Sequence, residues 1–256
     1  MAAEVHPDVK AAPTAPLESI TTLLASTNKQ VLDALIENPC LDETHLLLLL
    51  ERKDLPGTLL EEIAKRKSWR ASYRVRRALA GHPHTPRLIA MRLLRELHLM
   101  DLVRISLQPA SSGELRRLAE ERVLAQLPQL PLGQKLMLAR RGSSRIAGGL
   151  IEQGPEQVVR IALDSAYLTE AQLLKTLARE ALPARTVANI ARHTKWSKLV
   201  NVRVALLRHP YAPAECMSAF VPDLPQGQIE ELLGLSRLPG GVRERLRQEI
   251  SRRGKE

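Results

Sequence analysis

Apolar residues along this chain recur at spacings of three and four rather than two. Leu59, Leu60, Ile63 and Ala64 form one stripe, Val75, Ala78 and Leu79 a second, and Leu88, Met91, Leu94 and Leu97 a third. At about 3.6 residues per turn each set falls on one side of a helix and can be buried together, whereas a strand would divide it between two faces. Breaks in the pattern fall at Asn38-Pro39, His82-Pro83, Gln108-Pro109 and His209-Pro210. Each is followed by a residue suited to start a helix. Asp42, Thr85, Ser111 and Thr169 carry side-chain oxygens that can accept from unpaired helix N–H groups, and Ser111 with Glu114 has capping-box spacing. Pro56, Pro86, Pro183 and Pro213 suit a first helical position, where no backbone hydrogen bond is lost. No alternating run with a hairpin turn occurs. The pattern predicts an all-α chain of helices of roughly 8–14 residues joined by short connections.

The helices repeat. At an offset of 127 residues, 41–86 aligns with 168–213 without a gap, with 18 identities in 46 positions. The matches include Trp69 with Trp196, Arg52 with Arg179, His82 with His209, and Pro56, Pro83 and Pro86 with Pro183, Pro210 and Pro213. Leucine richness alone does not align both tryptophans and three prolines. Weaker similarity extends the two copies to about 21–118 and 148–245, while 119–147 fits either register. Smaller units of ~25 or ~42 residues predict an α-solenoid of tandem short helices. The expected organisation is a single helical repeat domain over 17–250, between a disordered tail at 1–16 and a basic tail at 251–256.

Val75-Arg76, Ala78-Leu79, Pro83 and Pro86, and again Val202-Arg203, Ala205-Leu206, Pro210 and Pro213, resemble the signature of the HEAT-like superfamily. The closest resemblance is to leucine-rich repeat variant proteins. It covers most of 20–245, with two sharp units, and it implies a superhelix with a concave binding face. Variant proteins can carry an N-terminal cysteine cluster for an iron–sulfur centre; this chain has only Cys40 and Cys216, and that property is not carried over. Some HEAT-like proteins are alkylpurine DNA glycosylases, with tryptophans, a catalytic Asp and basic residues in the groove. Here no acid follows Trp69 or Trp196 within seven positions, and neither Asp101 nor Asp164 matches a motif.

Composition strengthens the helical reading, since aromatic residues make up only 2% of the chain and Leu and Ala supply most of its apolar surface. Two distant cysteines argue against a disulfide framework or zinc site. The opening Met-Ala-Ala-Glu-Val-His-Pro-Asp lacks the basic and apolar regions of a signal peptide, and the longest apolar run, Leu46 to Leu50, is too short to span a bilayer. A cytoplasmic location is expected.

Charge brings in candidate chemistry. The net value of +10 divides into −7 over residues 1–62 and +17 over 63–256. No Asp or Glu occurs from 63 to 95 or from 181 to 214. The first stretch holds Lys65, Arg66, Trp69, Arg70, Tyr73, Arg74 and Arg77; the second holds Arg192, Lys195, Trp196 and Lys198. Such positions suit contact with a polyanion such as nucleic acid, or they form a solvated helix face. The tryptophans could stack on a ligand, but a ring at matched repeat positions more often fills the gap between helices. Arg76 and Arg203 are expected to bond helix-end carbonyls of a neighbouring unit. His82 and His209 suit helix C-termini. Gly148-Gly149 and Gly142-Ser143-Ser144 read as connections between helices. No catalytic constellation can be nominated, and no metal, cofactor or small-molecule ligand is expected. The reading is a non-enzymatic scaffold for a protein partner. Nucleic-acid binding through the basic face is the alternative, and an anionic membrane surface ranks third.

Overall fold

The structure, a computed structural model, describes residues 7–235 and 238–254. Among them the regular structure is helical throughout, nineteen α-helices with four short 3-10 turns and no strand. No described helix is long and apolar enough to cross a membrane. Two compact units divide the chain between Arg122 and Val123, where the hydrophobic pattern alone reads as one continuous domain. The first unit holds α1 (Pro7–Ala11), α2 (Leu17–Leu24), α3 (Lys29–Leu35), α4 (Glu43–Glu51), α5 (Gly57–Lys65), α6 (Lys67–Ala71), α7 (Tyr73–Gly81), α8 (Arg87–Leu94), α9 (Leu99–Leu107) and most of α10 (Gly113–Gln126). The second holds α11 (Leu132–Arg141), α12 (Ser144–Gln153), α13 (Glu156–Leu163), α14 (Glu170–Leu177), α15 (Ala184–Arg192), α16 (Val200–Arg208), α17 (Ala214–Phe220), α18 (Gln226–Leu233) and α19 (Gly240–Arg253).

The helix starts show how far the duplication goes. Shifting the first residues of α2, α3, α4, α5, α7, α8, α9 and α10 by 127 gives the first residues of α12 through α19 in order. The two copies thus run from Leu17 to Gln126 and from Ser144 to Arg253, beyond the limits that sequence similarity supports. Within a unit alternate long helices start 26, 28 or 30 residues apart, close to the ~25 of the two expected spacings and not to ~42. These alternate helices pack on one another, α2 on α4 and α4 on α7, and α12 on α14, α14 on α16 and α16 on α18. Each core is built from the expected stripes: Leu59, Leu60, Ile63 and Ala64 are all buried, as are Val75 and Leu79.

Several local readings change. Asp42 and Thr169 cap α4 and α14 by accepting from the His45 and Gln172 N–H groups, but Ser112, not Ser111, caps α10. Thr85 donates its hydroxyl back to the Leu79 carbonyl. Pro56, Pro86 and Pro183 stand one residue before their helices with extended backbones, where the missing N–H is equally harmless. The α8 stripe is rotated: Leu88 is 80% exposed, and Ala90, Leu93 and Leu94 face the core. Gly148-Gly149 lies inside α12 rather than between helices. A Cβ at Gly148 would stand 2.4 Å from the Gln172 side chain of α14, and one at Gly149 2.4 Å from Leu124. These glycines therefore serve close helix packing. Residues 7–16, read as part of a disordered tail, form α1 and a 3-10 turn that buries Ala12 and Ala15. At the other end α19 extends to Arg253. Residues 1–6 and 255–256 of the two expected tails lie outside the described residues.

A series of polar staples joins successive helix pairs, each from a side chain to a helix-end carbonyl roughly one repeat earlier. The Arg52 guanidinium donates to the Leu24 and Ser26 carbonyls at 2.5 and 2.8 Å. His82 Nε2 donates to the Arg52 carbonyl at 2.6 Å, and His209 Nε2 to the equivalent Arg179 carbonyl at 3.2 Å. Each histidine also accepts through Nδ1 from the N–H two residues on, at His84 and Tyr211. Both rings therefore use the neutral form with its proton on Nε2. Helix-end carbonyls have no partner within the helix, so the staples satisfy groups that packing would otherwise strand.

Burial holds the His82 ring below its ordinary pKa, against the opposing effect of its bond to the Arg52 carbonyl. The folded state therefore binds this proton less readily than the unfolded chain, whose value is near 6.5. Stability from this site is fully present above that pH and is lost as the pH falls through it towards the folded value. We expect the urea midpoint of the first unit to drop between about pH 7.5 and pH 5. The drop should be smaller in His82→Gln, whose amide can keep the donor to Arg52. An equal slope in both proteins would assign the effect to other groups.

Candidate functional site

The acid-free stretches of sequence are not acid-free in space. Carboxylates from other helices reach about half of the cations. Lys65 lies 3.2 and 2.8 Å from Glu61 and Glu62 on its own helix. Arg66 pairs with Glu37 and donates to the Ile36 carbonyl. Arg74 stands 3.7 Å from Glu43, Arg76 2.8 Å from Glu96 and Arg77 3.7 Å from Asp101. In the second unit Arg192 pairs with Glu215, Arg203 with Asp223 and Arg208 with Glu231. Neither Arg76 nor Arg203 makes the expected bond to a helix-end carbonyl of a neighbouring unit: Arg203 donates to the Ser197 carbonyl at 2.6 Å, in the turn just before its own helix, and Arg76 pairs with Glu96. Of the candidate contacts, Arg70, half-buried, and Lys195 and Lys198, exposed, have no ion pair among the described residues.

These pairs are themselves duplicated. Glu37–Arg66 corresponds to Asp164–His193, Glu96–Arg76 to Asp223–Arg203, and Glu43–Arg74 to Glu170–Asn201, where the Asn201 amide donates at 2.9 Å. Arg66, Arg74 and Arg76 thus belong to the framework that aligns one helix pair on the next.

The tryptophans, matched in sequence, are not matched in space. Trp196 is 1% exposed, and its indole N–H donates to the Leu163 carbonyl at 2.8 Å. Its ring is a core plug and not a surface for stacking a ligand, which corrects its place among the candidate contacts. Lys195 lies over the ring, 4.0 Å from its centre. The carbonyl equivalent to Leu163 is that of Ile36, and there Arg66 supplies the donor. Arg66 lies over the Trp69 ring at 4.9 Å, and Trp69 stays half-exposed. One substitution at the end of α5, Arg for the His193 of the other copy, hands the carbonyl to a longer side chain and leaves Trp69 outside the core.

What remains open is a groove in each unit at matched positions. In the first unit it lies over α4, α7 and α9, with a volume of about 460 Å³. In the second it lies over α14, α16 and α18, with about 520 Å³. Leu47, Leu50 and Ala78 in one correspond to Leu174, Leu177 and Ala205 in the other. The polar rims differ. Lys53, Arg74, Arg77 and Arg104 of the first groove stand where the second has Glu180, Asn201, Val204 and Glu231.

Beside the first groove the Tyr73 hydroxyl donates to Asp101 and accepts from the His98 N–H at 3.0 Å. Its ring lies against His98 with centres 4.3 Å apart. Burial, with help from the Asp101 bond, holds the phenol above its ordinary pKa. The second unit has Val200 and Gln228 at the positions of Tyr73 and Asp101. Arg74 and Arg77 are thus the predicted contacts that reach a groove, while Lys65, Arg66, Trp69 and Arg70 of the first unit and Arg192, Lys195 and Lys198 of the second do not line either one. Lys53 and Arg104 were missed, because Lys53 lies in the acidic part of the sequence and Arg104 follows the end of the acid-free run. The 127-residue alignment would have raised both, since each is replaced by an acid in the other copy. Among the described residues no cluster of three or more His, Cys, Asp or Glu is arranged to hold a metal. No protein-family model, curated protein or solved structure matches this chain.

Proposed function

We propose that this chain is a non-enzymatic scaffold of the HEAT-like, solenoid-forming kind, closest to leucine-rich repeat variant proteins, that takes a protein partner along its helix-lined grooves. The observation that carries the reading is the pair of grooves at matched positions of two duplicated units, with a common apolar floor and different charged rims. Stacked helix pairs supply a long surface whose rim residues vary without disturbing the core. The extensive pairing of Arg and Lys with carboxylates favours a protein over nucleic acid, because phosphate binding needs cations that are not already neutralised. The nucleic-acid reading retains support from Arg70, Lys195 and Lys198.

Selection from a displayed random-peptide library on the full chain tests the proposal. Peptides are expected to enrich, and Leu48→Glu, which places a carboxylate at a half-exposed groove position, should change or abolish that enrichment. In parallel, a labelled DNA duplex followed by anisotropy at two salt concentrations should bind weakly. A failure of any peptide to enrich would overturn the scaffold reading. So would tight, steeply salt-dependent duplex binding lost on changing Arg70, Arg74 and Arg77 to Ala.

A further inference from the structure

The two grooves make an internal comparison of what the fold needs with what one site adds. Their floors agree, so the apolar positions are required to pack α4 on α7 and α14 on α16. Their rims do not agree. All four cationic positions of the first groove are neutral or acidic in the second, whose helices are arranged in the same order and register. Positive charge at these four positions is therefore not a condition of folding; at the Arg74 position Asn201 keeps the contact to the carboxylate without it. Lys53 and Arg104 are exposed and have no ion pair among the described residues, unlike the framework arginines. Arg77 stands near an Asp101 already engaged by Tyr73, so its guanidinium has donors to spare.

From this geometry we infer that the first groove binds an acidic peptide segment with interspersed aliphatic residues. The inference rests on the scaffold reading and gives it a chemistry. Lys53 follows α4, Arg74 and Arg77 stand on α7 and Arg104 on α9, so three successive elements of the lining supply cations for carboxylates spaced along an extended or helical segment. Leu47, Leu48 and Ile105 provide apolar contacts for an aliphatic side chain. Nucleic acid fits less well. No Trp, Tyr or Phe lines the groove for a base to stack on, and Glu51 and Asp101 in the rim would repel a run of phosphates that flexible peptide carboxylates can avoid.

The test uses the full chain and labelled synthetic peptides of repeating Glu-Glu-Leu, Lys-Lys-Leu and Glu-Glu-Ser, with a single-stranded oligonucleotide as the other polyanion. Glu-Glu-Leu is expected to bind tighter than about 100 μM and to weaken with added salt. The double variant Lys53→Glu with Arg104→Glu, which copies the rim of the second groove, should lose at least about tenfold in affinity. Because Glu180 and Glu231 already occupy those positions in the other unit, the variant should fold. An unchanged melting temperature checks that, and Lys53→Gln with Arg104→Gln should give an intermediate loss. Equal binding by the charge-reversed variant would overturn the site, and equal binding by Glu-Glu-Ser would overturn its aliphatic component. Oligonucleotide binding with the same sensitivity, in place of the peptide, would overturn the occupant in favour of nucleic acid. If library selection yields groove-dependent peptides without acidic residues, this inference fails while the scaffold stands; if it yields none, both fail.

Discussion

Trp196→Ala is expected to destabilise the second unit by about 3–5 kcal/mol, whereas Trp69→Ala, at the matched position, should cost the first unit only about 1 kcal/mol. The indole of Trp196 is enclosed and caps the Leu163 carbonyl, so truncation leaves both a cavity and a stranded acceptor. Trp69 keeps one side in solvent, and the carbonyl it might have capped is held by Arg66. Its removal forfeits mainly the contact between cation and ring. Urea unfolding of both variants followed by far-UV circular dichroism compares them without relying on tryptophan emission. Equal losses would show that the two rings share one role, and a neutral Trp196→Ala would exclude the core plug.

The second large effect is expected at Asn38. It is 4% exposed, its amide nitrogen donates to the Ala12 and Ala15 carbonyls at 2.8 and 3.0 Å, and its amide oxygen accepts from the Cys40 N–H at 2.8 Å. No other side-chain type offers that set at that size. Asp would place a charged oxygen against two carbonyls, and Ala would leave the Ala15 carbonyl and the Cys40 N–H without a partner and the Ala12 carbonyl with only a 3.4 Å bond from the Ala15 N–H. We expect Asn38→Ala to cost about 3 kcal/mol, with amide hydrogen exchange accelerating first over residues 7–16. Unchanged exchange there would mean that Ala12 and Ala15 are held by packing alone.

The all-helical class, the caps at Asp42 and Thr169, and the existence of a duplication were legible because they depend on local signals: periodicity, cap chemistry and identity at a constant offset. What was not legible depends on what stands one repeat away. Residues 63–95 look like a bare basic stretch until Glu37, Glu43, Glu96 and Asp101 are brought beside them. Trp69 and Trp196 look alike until the donor to the preceding carbonyl is known, and that depends on whether position 66 or 193 bears Arg or His. Leu88 looks like core because periodicity fixes a stripe only to within a turn, and Ala90 with Leu93 completes the alternative one. Gly148-Gly149 resembles a turn signal, although the same lack of a Cβ also allows two helices to approach closely.

The staples, from Asn38 to Ala15 at 23 residues up to Trp196 to Leu163 at 33, bear on how the chain is made. A helix pair needs nothing synthesised much later than itself to be fastened to its predecessor. As the chain leaves the ribosome, each new histidine, arginine or asparagine meets an already formed carbonyl behind it, so ordering can advance from the N-terminus with little waiting. Arginines that pair with later carboxylates differ in timing, among them Arg203 and Arg208 of α16 and two of α7. Arg76 and Arg77 emerge before Glu96 and Asp101, and for about twenty residues of elongation the nascent surface carries a charge that the finished protein has largely neutralised.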